Sequence, residues 1–238
     1  MADKILFPIG QAHHQLPPRP LVGFMSMVGR AYSGELMVVG RAVNGWGAKE
    51  MLPVELDSSD ASHTYAEEVL ASVSDPTNCP MGWVTAQWGA PRPKYSTKSS
   101  AFWRSIYSVI NALGTVTPGD EDWPSHLVWS NLYKVAPAAG GNPSNFLCDL
   151  QLPGCIDLLR EELAAYQPRR VLFLTGLNWA KPFADALGLP LCMNPSFCQV
   201  EAFGEVPFNG QLLRFAIASH PQGKPESVWA SEVLSVLR

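Results

Sequence analysis

Three polar loops contain side chains that can form directed hydrogen bonds or exchange a proton. The loop "GRAVNGWG" begins at Gly40 and contains Arg41 and Asn44. The loop "SNLYKVAP" contains Asn131, and the loop "SHPQGK" contains His220. A carboxamide has both a donor and an acceptor, and an imidazole titrates near neutral pH. Each loop follows an apolar run, and loops at the ends of buried strands are typical of ligand sites.

The elements that position these loops are predicted from the hydrophobic pattern. Continuous apolar runs such as "ELMVV" are typical of strands covered on both faces. Stretches such as "SSAFWRSIYSVINALG" and "CIDLLREELAAYQP" have apolar residues at helical spacing. Strand, loop and helix recur four times, with strands that begin at Leu36, Leu127, Val171 and Phe215. The sequence therefore predicts a three-layer α/β/α fold with a central, mostly parallel four-stranded sheet, and we expect the three loops to meet in one cleft.

Length and composition favour a single domain over residues 1–238, because 47% of the 238 residues are hydrophobic and 16% are charged. Residues 1–34 are rich in proline and glycine, and we expect them to cover the surface before the first core strand. Residues 48–98 form an insertion after the first loop, with one predicted helix in "ASHTYAEEVLASV". We expect a monomer.

Cellular location and cofactor use are predicted from motifs that the sequence lacks. Its five cysteines include no CxxC pair, which favours reduced thiols. No apolar run approaches the ~20 residues of a membrane span, and the N-terminus has no signal-peptide core, so we expect a cytoplasmic protein without a membrane partner. It has no P-loop, GxGxxG or GxSxG motif, and no histidine cluster with metal-ligand spacing. We therefore expect no cofactor and no metal.

A family resemblance depends on the order of several short motifs between about Glu35 and the C-terminus. These motifs are the glycine-rich turn at Gly40, a helix that opens with Phe102 and Trp103, Asn131 followed by Lys134 and Pro137, a strand with Pro168, Val171 and Gly176, and the pair His220 and Pro221. In this order and spacing the chain resembles the uracil-DNA glycosylase superfamily, nearest to its mismatch-specific and single-strand-selective branches.

The resemblance implies base excision, in which a base is flipped out of DNA and its N-glycosidic bond is broken. In that family the His-Pro loop donates a hydrogen bond to the departing base, a role that falls to His220. The asparagine after the second strand pairs with the edge of the base, a role that falls to Asn131. The remaining candidates for the base pocket are Gly40, Arg41, Ala42, Trp46 and Ser130.

The first loop departs from the family pattern. In the family, the catalytic water is held by an Asp or Asn, at the position that corresponds to Ala42. In another branch it is held by a Glu one position earlier, which corresponds to Arg41. Val43 stands where the pattern has proline. Neither Ala42 nor Arg41 can hold water as a carboxylate or amide does. Asn44 takes that role if the loop is one or two residues longer than the family's.

Basic residues near the helix of Phe102 are candidates for phosphate contacts. Arg92, Lys94, Lys98 and Arg104 occur without an acidic residue between Ala90 and Thr117, with Tyr95 among them, and Lys224 adjoins the His-Pro loop. The formal net charge of −4 does not exclude a local basic groove, because binding depends on the contacting face. We expect DNA, single-stranded or damaged, as the partner.

Alternatives remain for each residue and for the whole protein. Asn131 can instead stabilise a turn, His220 can be a surface residue, Trp46 can pack in the core, and the basic residues can form a solvated rim. The whole chain can be a module that binds a flipped base, a free nucleobase or a nucleic-acid end without cleavage, which Arg41 and Ala42 favour. It can also be a protein-interaction module whose cleft holds a peptide, and then its binding would not depend steeply on salt.

Overall fold

The computed structural model describes residues 1–45, 47, 49–74, 79–91 and 94–238. The chain divides into two compact units, each built from three separate segments. The first unit contains Met1–Ser26, Gly40–Asp75 and Asn131–Ala165, and the second contains Met27–Val39, Pro76–Ser130 and Tyr166–Arg238. The single domain over residues 1–238 stays a prediction.

Helices and strands follow one another along the chain, singly or in runs of two or three. The strands are β1 (Leu21–Gly23), β2 (Met27–Val28), β3 (Leu36–Gly40), β4 (Leu127–Asn131), β5 (Val135–Pro137), β6 (Arg170–Phe173), β7 (Val200–Phe208) and β8 (Gln211–Ala218). The α-helices are α1 (Phe7–Gln11), α2 (Ser59–Ala71), α3 (Gly82–Ala86), α4 (Ala101–Ala112), α5 (Asn145–Tyr166), α6 (Leu177–Leu187) and α7 (Glu226–Leu237). No helix in the described part of the chain is both long enough and apolar enough to cross a membrane.

The second unit contains a six-stranded sheet in the order β2-β4-β3-β6-β8-β7. β6 pairs in parallel with β3 on one side and with β8 on the other, whereas β2 and β7 are antiparallel edge strands. The predicted α/β class with a mostly parallel sheet is confirmed. The predicted count of four strands is wrong, because β2 is only two residues long and β7 alternates in burial, so neither contains the continuous apolar run of a central strand.

The core of this sheet has the residue types that its position requires. The four residues Leu36–Val39 are completely buried, as expected for a strand covered on both faces. Trp103 and Ile106 of α4 and Trp229 of α7 are also buried. Complete burial of a large apolar side chain contributes about 1.5–3 kcal/mol, so these residues anchor the elements that precede and follow the polar loops.

The first unit contains the antiparallel pair β1 and β5, together with α1, α2 and α5. Residues 1–34 also contribute to the core, because Ile5, Leu6 and Ile9 are completely buried in helical turns. These apolar residues are spaced by one helical turn, which favours a buried helical face in spite of the prolines and glycines that follow. Gly10 allows this packing, since a Cβ there would lie 1.9 Å from the Leu56 carbonyl oxygen.

Candidate functional site

The loops after β3 and β4 are joined by backbone hydrogen bonds within the first unit. The Leu132 amide donates to the Gly40 carbonyl at 2.9 Å, and the Tyr133 amide donates to the Arg41 carbonyl at 2.9 Å. Gly40 is buried, while Arg41 and Ala42 are half-buried. The structure therefore places two of the three polar loops side by side.

Asn44 connects the first loop to the turn that follows β5. Its Oδ1 accepts a hydrogen bond from the Gly141 amide at 2.6 Å. The neighbouring Gly45 has φ of +72°, and a Cβ there would lie 3.3 Å from the Ala138 carbonyl oxygen, so this close approach favours glycine. Asn44 is exposed, and its role in placing water stays a prediction. Trp46 lies outside the described residues.

Asn131 is the last residue of β4 and is 1% exposed, and Ser130 before it is completely buried. The chain after Asn131 is held by Gln151 of α5. The Gln151 Oε1 accepts from the amides of Lys134 and Val135 at 3.0 and 2.9 Å, and its Nε2 donates to the Val135 carbonyl at 2.9 Å. A single carboxamide thus satisfies three backbone groups within four residues of Asn131.

Lys134 and Glu162 form a buried ion pair in the same unit. Their side chains are 0% and 3% exposed, and the Lys134 Nζ donates to the Glu162 Oε1 at 2.7 Å. The Lys134 Nζ also lies 5.9 Å from the centroid of the Phe24 ring, and the Lys134 carbonyl accepts from the Phe24 amide at 2.8 Å. Buried charges persist only when paired, so each partner requires the other.

Gln151 and Glu162 are not among the residues predicted from the sequence. A signal for Glu162 was present, because it follows Leu159 by three residues and immediately precedes Leu163 on the apolar face of α5. Charged residues are almost never fully buried without a partner, and Lys134 within "NLYKVAP" is a basic residue among apolar neighbours. Together the two positions indicated a buried ion pair.

The thiols near this ion pair are poor nucleophiles. Burial raises the pKa of Cys155 to about 12 and the pKa of Cys148 to about 11. Burial also raises the pKa of Tyr133 above its usual range. Because the thiolate is the reactive form of cysteine, both thiols are neutral and structural at physiological pH.

His220 lies after β8 in the second unit, half-buried. Its ring stacks on Phe102 of α4, with 6.2 Å between the centroids and an interplanar angle of 26°. The Gln222 amide donates to the His220 Nδ1 at 3.3 Å. With Nδ1 as acceptor, the proton of the neutral imidazole is on Nε2, and Nε2 is the donor.

Arg104 of α4 holds the chain that follows His220. Its Nε donates to both carboxylate oxygens of Glu226, at 3.0 and 3.1 Å, and its Nη1 donates to the Lys98 carbonyl at 2.8 Å. The Trp229 indole donates to the Ser219 carbonyl at 2.8 Å. The guanidinium that sequence analysis grouped with the phosphate contacts therefore connects α4 to the start of α7.

An aromatic cluster joins α4 to the preceding insertion. Its members are Trp83, Trp88, Phe102, Trp103, Tyr107, Trp123 and Trp129, and the centroids of neighbouring rings are 5.1 to 6.4 Å apart. Aromatic pairs at such distances add about 0.5–1.5 kcal/mol beyond their buried area. The cluster gives this part of the second unit a rigid base.

An open depression of about 570 Å³ lies beside the cluster, lined by Ala86, Gln87, Trp88, Gly89, Ala90, Pro91, Lys94 and Tyr95. Lys94 and Tyr95 are exposed, as are Lys98 and Lys224. Arg92 lies outside the described residues. Among the described residues, no group of three or more His, Cys, Asp or Glu side chains is placed to hold a metal ion.

The predicted site residues are divided between the two units. Gly40, Arg41, Ala42, Asn44 and Asn131 belong to the first unit, whereas Ser130, His220, Lys94, Lys98 and Lys224 belong to the second. The meeting of the His-Pro loop with the other two loops stays a prediction. No known family model matches the chain, and no curated protein matches its sequence.

Proposed function

We propose that this chain is a uracil-DNA glycosylase-like protein that binds a flipped base and hydrolyses its N-glycosidic bond. The observation that carries the proposal is the geometry of His220, since its Nδ1 accepts from the Gln222 amide, which assigns the proton of the neutral imidazole to Nε2. An imidazole in this state can stabilise an oxygen that becomes negative. The proposal includes a three-layer α/β/α arrangement, a monomeric cytoplasmic protein and DNA as the partner.

The reaction separates charge between the base and the sugar. The departing base becomes anionic, and the sugar passes through an oxocarbenium-like state. In the proposal, the His220 Nε2 donates to the base oxygen that gains charge. Removal of one such donor typically lowers the rate by about 10²–10³-fold. The imidazole is held by the Phe102 stack and by the Gln222 amide, so the donor requires little reorganisation.

Recognition of the base is assigned to Asn131. A carboxamide pairs its donor and its acceptor with complementary groups on a base edge. Gln151 and the Lys134–Glu162 pair hold the backbone next to Asn131, which supports a fixed position for the amide. Gly40, Arg41 and Ala42, which belong to the same unit as Asn131, are the further candidates for contact with the base.

Placement of the attacking water is assigned to Asn44. Its Oδ1 accepts from the Gly141 amide, and a carbonyl oxygen has a second lone pair that can accept from water. Arg41 and Ala42 cannot supply an equivalent acceptor. Rate enhancement therefore depends more on the departing base than on activated water.

The second candidate is a protein that binds a nucleobase without cleaving the bond. It is favoured by Ala42 in the position where the family holds water, and by the hydrogen bond that engages the Asn44 oxygen. This candidate predicts tight, base-dependent binding without an abasic product.

The test is excision from labelled oligonucleotides that contain uracil, hypoxanthine or a mismatched thymine, both single- and double-stranded. Wild type is compared with His220→Ala and with His14→Ala, which removes an exposed histidine in the first unit. Abasic product that is lost only in His220→Ala supports the proposal. Base-dependent binding without product favours the second candidate, and product that His220→Ala leaves unchanged refutes the assignment of His220.

A further inference from the structure

The depression beside the aromatic cluster is flanked by two lysines, Lys94 and Lys98. The described residues 79–91 and 94–119 contain no Asp or Glu, although the protein has a formal net charge of −4. Lys94 lines the depression. Lys98 lies beside it, since its Cδ is 4.0 Å from the place of a Cβ on Gly89. A local positive surface on an acidic protein attracts an anionic ligand.

The lysines of the chain fall into two groups. Lys4, Lys49, Lys134 and Lys181 each have a carboxylate within 4.0 Å. Lys94, Lys98 and Lys224 have none among the described residues, and all three belong to the second unit. Two of these three ammonium groups adjoin the depression. Among the described residues, no ion pair would have to break before these ammonium groups bind phosphates.

The wall of the depression is formed in advance. Trp88 packs against Tyr107 and Trp123, with ring centroids 5.3 and 5.8 Å away. The Thr97 amide donates to the Gln87 carbonyl at 3.1 Å, and its buried hydroxyl donates to the Val84 carbonyl at 2.6 Å. A rigid wall lowers the entropy that the protein loses when a ligand binds.

Tyr95 supplies a stacking surface at the same place. Its side chain lines the depression and is 54% exposed, which is high for an aromatic residue. An exposed aromatic ring beside lysines is typical of proteins that bind single-stranded nucleic acid, where bases stack and cations follow the backbone. A base of a single strand has an exposed face that can stack on Tyr95.

The depression and His220 are connected through one chain of rings. The path runs from His220 to Phe102, Trp103, Trp123 and Trp88, in four steps of 5.1 to 6.3 Å between centroids. All of these residues belong to the second unit. The His220 ring therefore lies within four ring-to-ring steps of Trp88, which lines the depression.

We propose that the depression is a binding subsite for a flanking nucleotide of single-stranded DNA. A base a few nucleotides from the target stacks on Tyr95, and Lys94 and Lys98 bind the adjacent phosphates. The position of this nucleotide relative to the target rests on the function proposed above, whereas the binding of a single strand does not. The subsite gives the protein a preference for single-stranded over double-stranded substrate.

The first test is the affinity for a labelled single-stranded oligonucleotide without any target base, measured by fluorescence anisotropy. Tyr95→Ala should weaken binding about 5- to 150-fold, the range that loss of one stacked base produces. Tyr95→Phe keeps the ring and should bind like wild type, and so should Phe146→Ala, which removes an exposed aromatic residue from the first unit. Binding of a duplex should not change. Equal single-strand affinity of Tyr95→Ala and wild type would overturn the subsite.

The second test locates the stacked base. In the His220→Ala background, flanking nucleotides of a uracil-containing strand are replaced one at a time by abasic spacers. At one flanking position, the abasic spacer should weaken binding by the protein that retains Tyr95. The same spacer should have no effect on the protein with Tyr95→Ala, because the spacer and the substitution remove the same contact. Spacers that affect both proteins equally at every position overturn the subsite.

The two proposals fail separately. A Tyr95-dependent affinity without excision by wild type would refute the glycosylase and support the subsite. Excision with no effect of Tyr95→Ala on single-strand affinity would support the glycosylase and refute the subsite.

Discussion

Replacement of Lys134 by methionine should strongly destabilise the protein. Lys134 and Glu162 are 0% and 3% exposed and lie 2.7 Å apart, so Lys134→Met leaves the Glu162 carboxylate buried without its cation. Loss of one partner from a buried ion pair lowers the free energy of unfolding by about 3–5 kcal/mol. Such a loss is a large part of the stability of an ordinary domain, about 5–15 kcal/mol.

The double variant distinguishes the pair from a general packing defect. In Lys134→Met with Glu162→Leu, no charge remains buried, and the two side chains have volumes similar to the originals. Replacement of a buried ion pair by apolar residues is commonly neutral or stabilising by about 1–4 kcal/mol. We therefore expect the double variant to be at least as stable as wild type, although Lys134→Met alone is destabilised.

The measurement is unfolding in urea, with the midpoint and the slope determined for each variant. Lys181→Met is the matched control, because its ion pair with Asp185 has the same 2.7 Å distance but both side chains are 57% exposed. An exposed pair contributes little, and we expect a change below about 1 kcal/mol. The account of the ion pair is refuted if Lys134→Met costs no more than this control, or if the double variant loses the sum of the two single effects.

Three further predictions concern the second unit. Lys94→Ala combined with Lys98→Ala should reduce the slope of log affinity against log salt by about 1.4 for a single strand, measured by anisotropy, and an unchanged slope would exclude phosphate contacts there. Arg104→Met removes the contact with Glu226 and should lower kcat for excision more than it changes KM. The ring nitrogen resonances of His220 should also shift in NMR spectra. An unchanged spectrum would show that Arg104 does not position His220. The hydrogen bond that Arg104 donates to Glu226 lowers the pKa of the Glu226 carboxyl. The ionised carboxylate therefore stabilises the fold above the unfolded pKa of about 4.3. This contribution is lost as the pH falls through the pKa of Glu226 in the folded protein. The Tm advantage of wild type over Glu226→Gln should therefore shrink between about pH 6 and about pH 3, and a constant difference would contradict this linkage.

The central strands were predictable because their chemistry is local. Leu36–Val39 form an uninterrupted apolar run, and burial on both faces is the only environment that such a run suits. The helix at Ala101–Ala112 was predictable for the same reason, since its apolar residues repeat at helical spacing. The edge strand Val200–Phe208 lacks both signals, because it is held by pairing with β8 rather than by burial.

The hydrogen-bond network near Asn131 was less predictable because its partners are distant in sequence. Gln151 satisfies the backbone at Lys134 and Val135 from a helix 16 to 17 residues further along the chain. No local pattern in either segment specifies that contact. The contact of Arg104 with Glu226 was missed for a similar reason, since the two residues are 122 positions apart.

The measurement that tests the central claim most directly is the release of free base in a single turnover. Excess protein is mixed with a uracil-containing single strand, and the released base is quantified by mass spectrometry for wild type, His220→Gln and His220→Ala. The account predicts free uracil from wild type, a rate about 10²–10³-fold lower for His220→Ala, and an intermediate rate for His220→Gln, which keeps a donor. Saturated binding of the strand by wild type with no free base would contradict the account, and so would equal release by all three proteins.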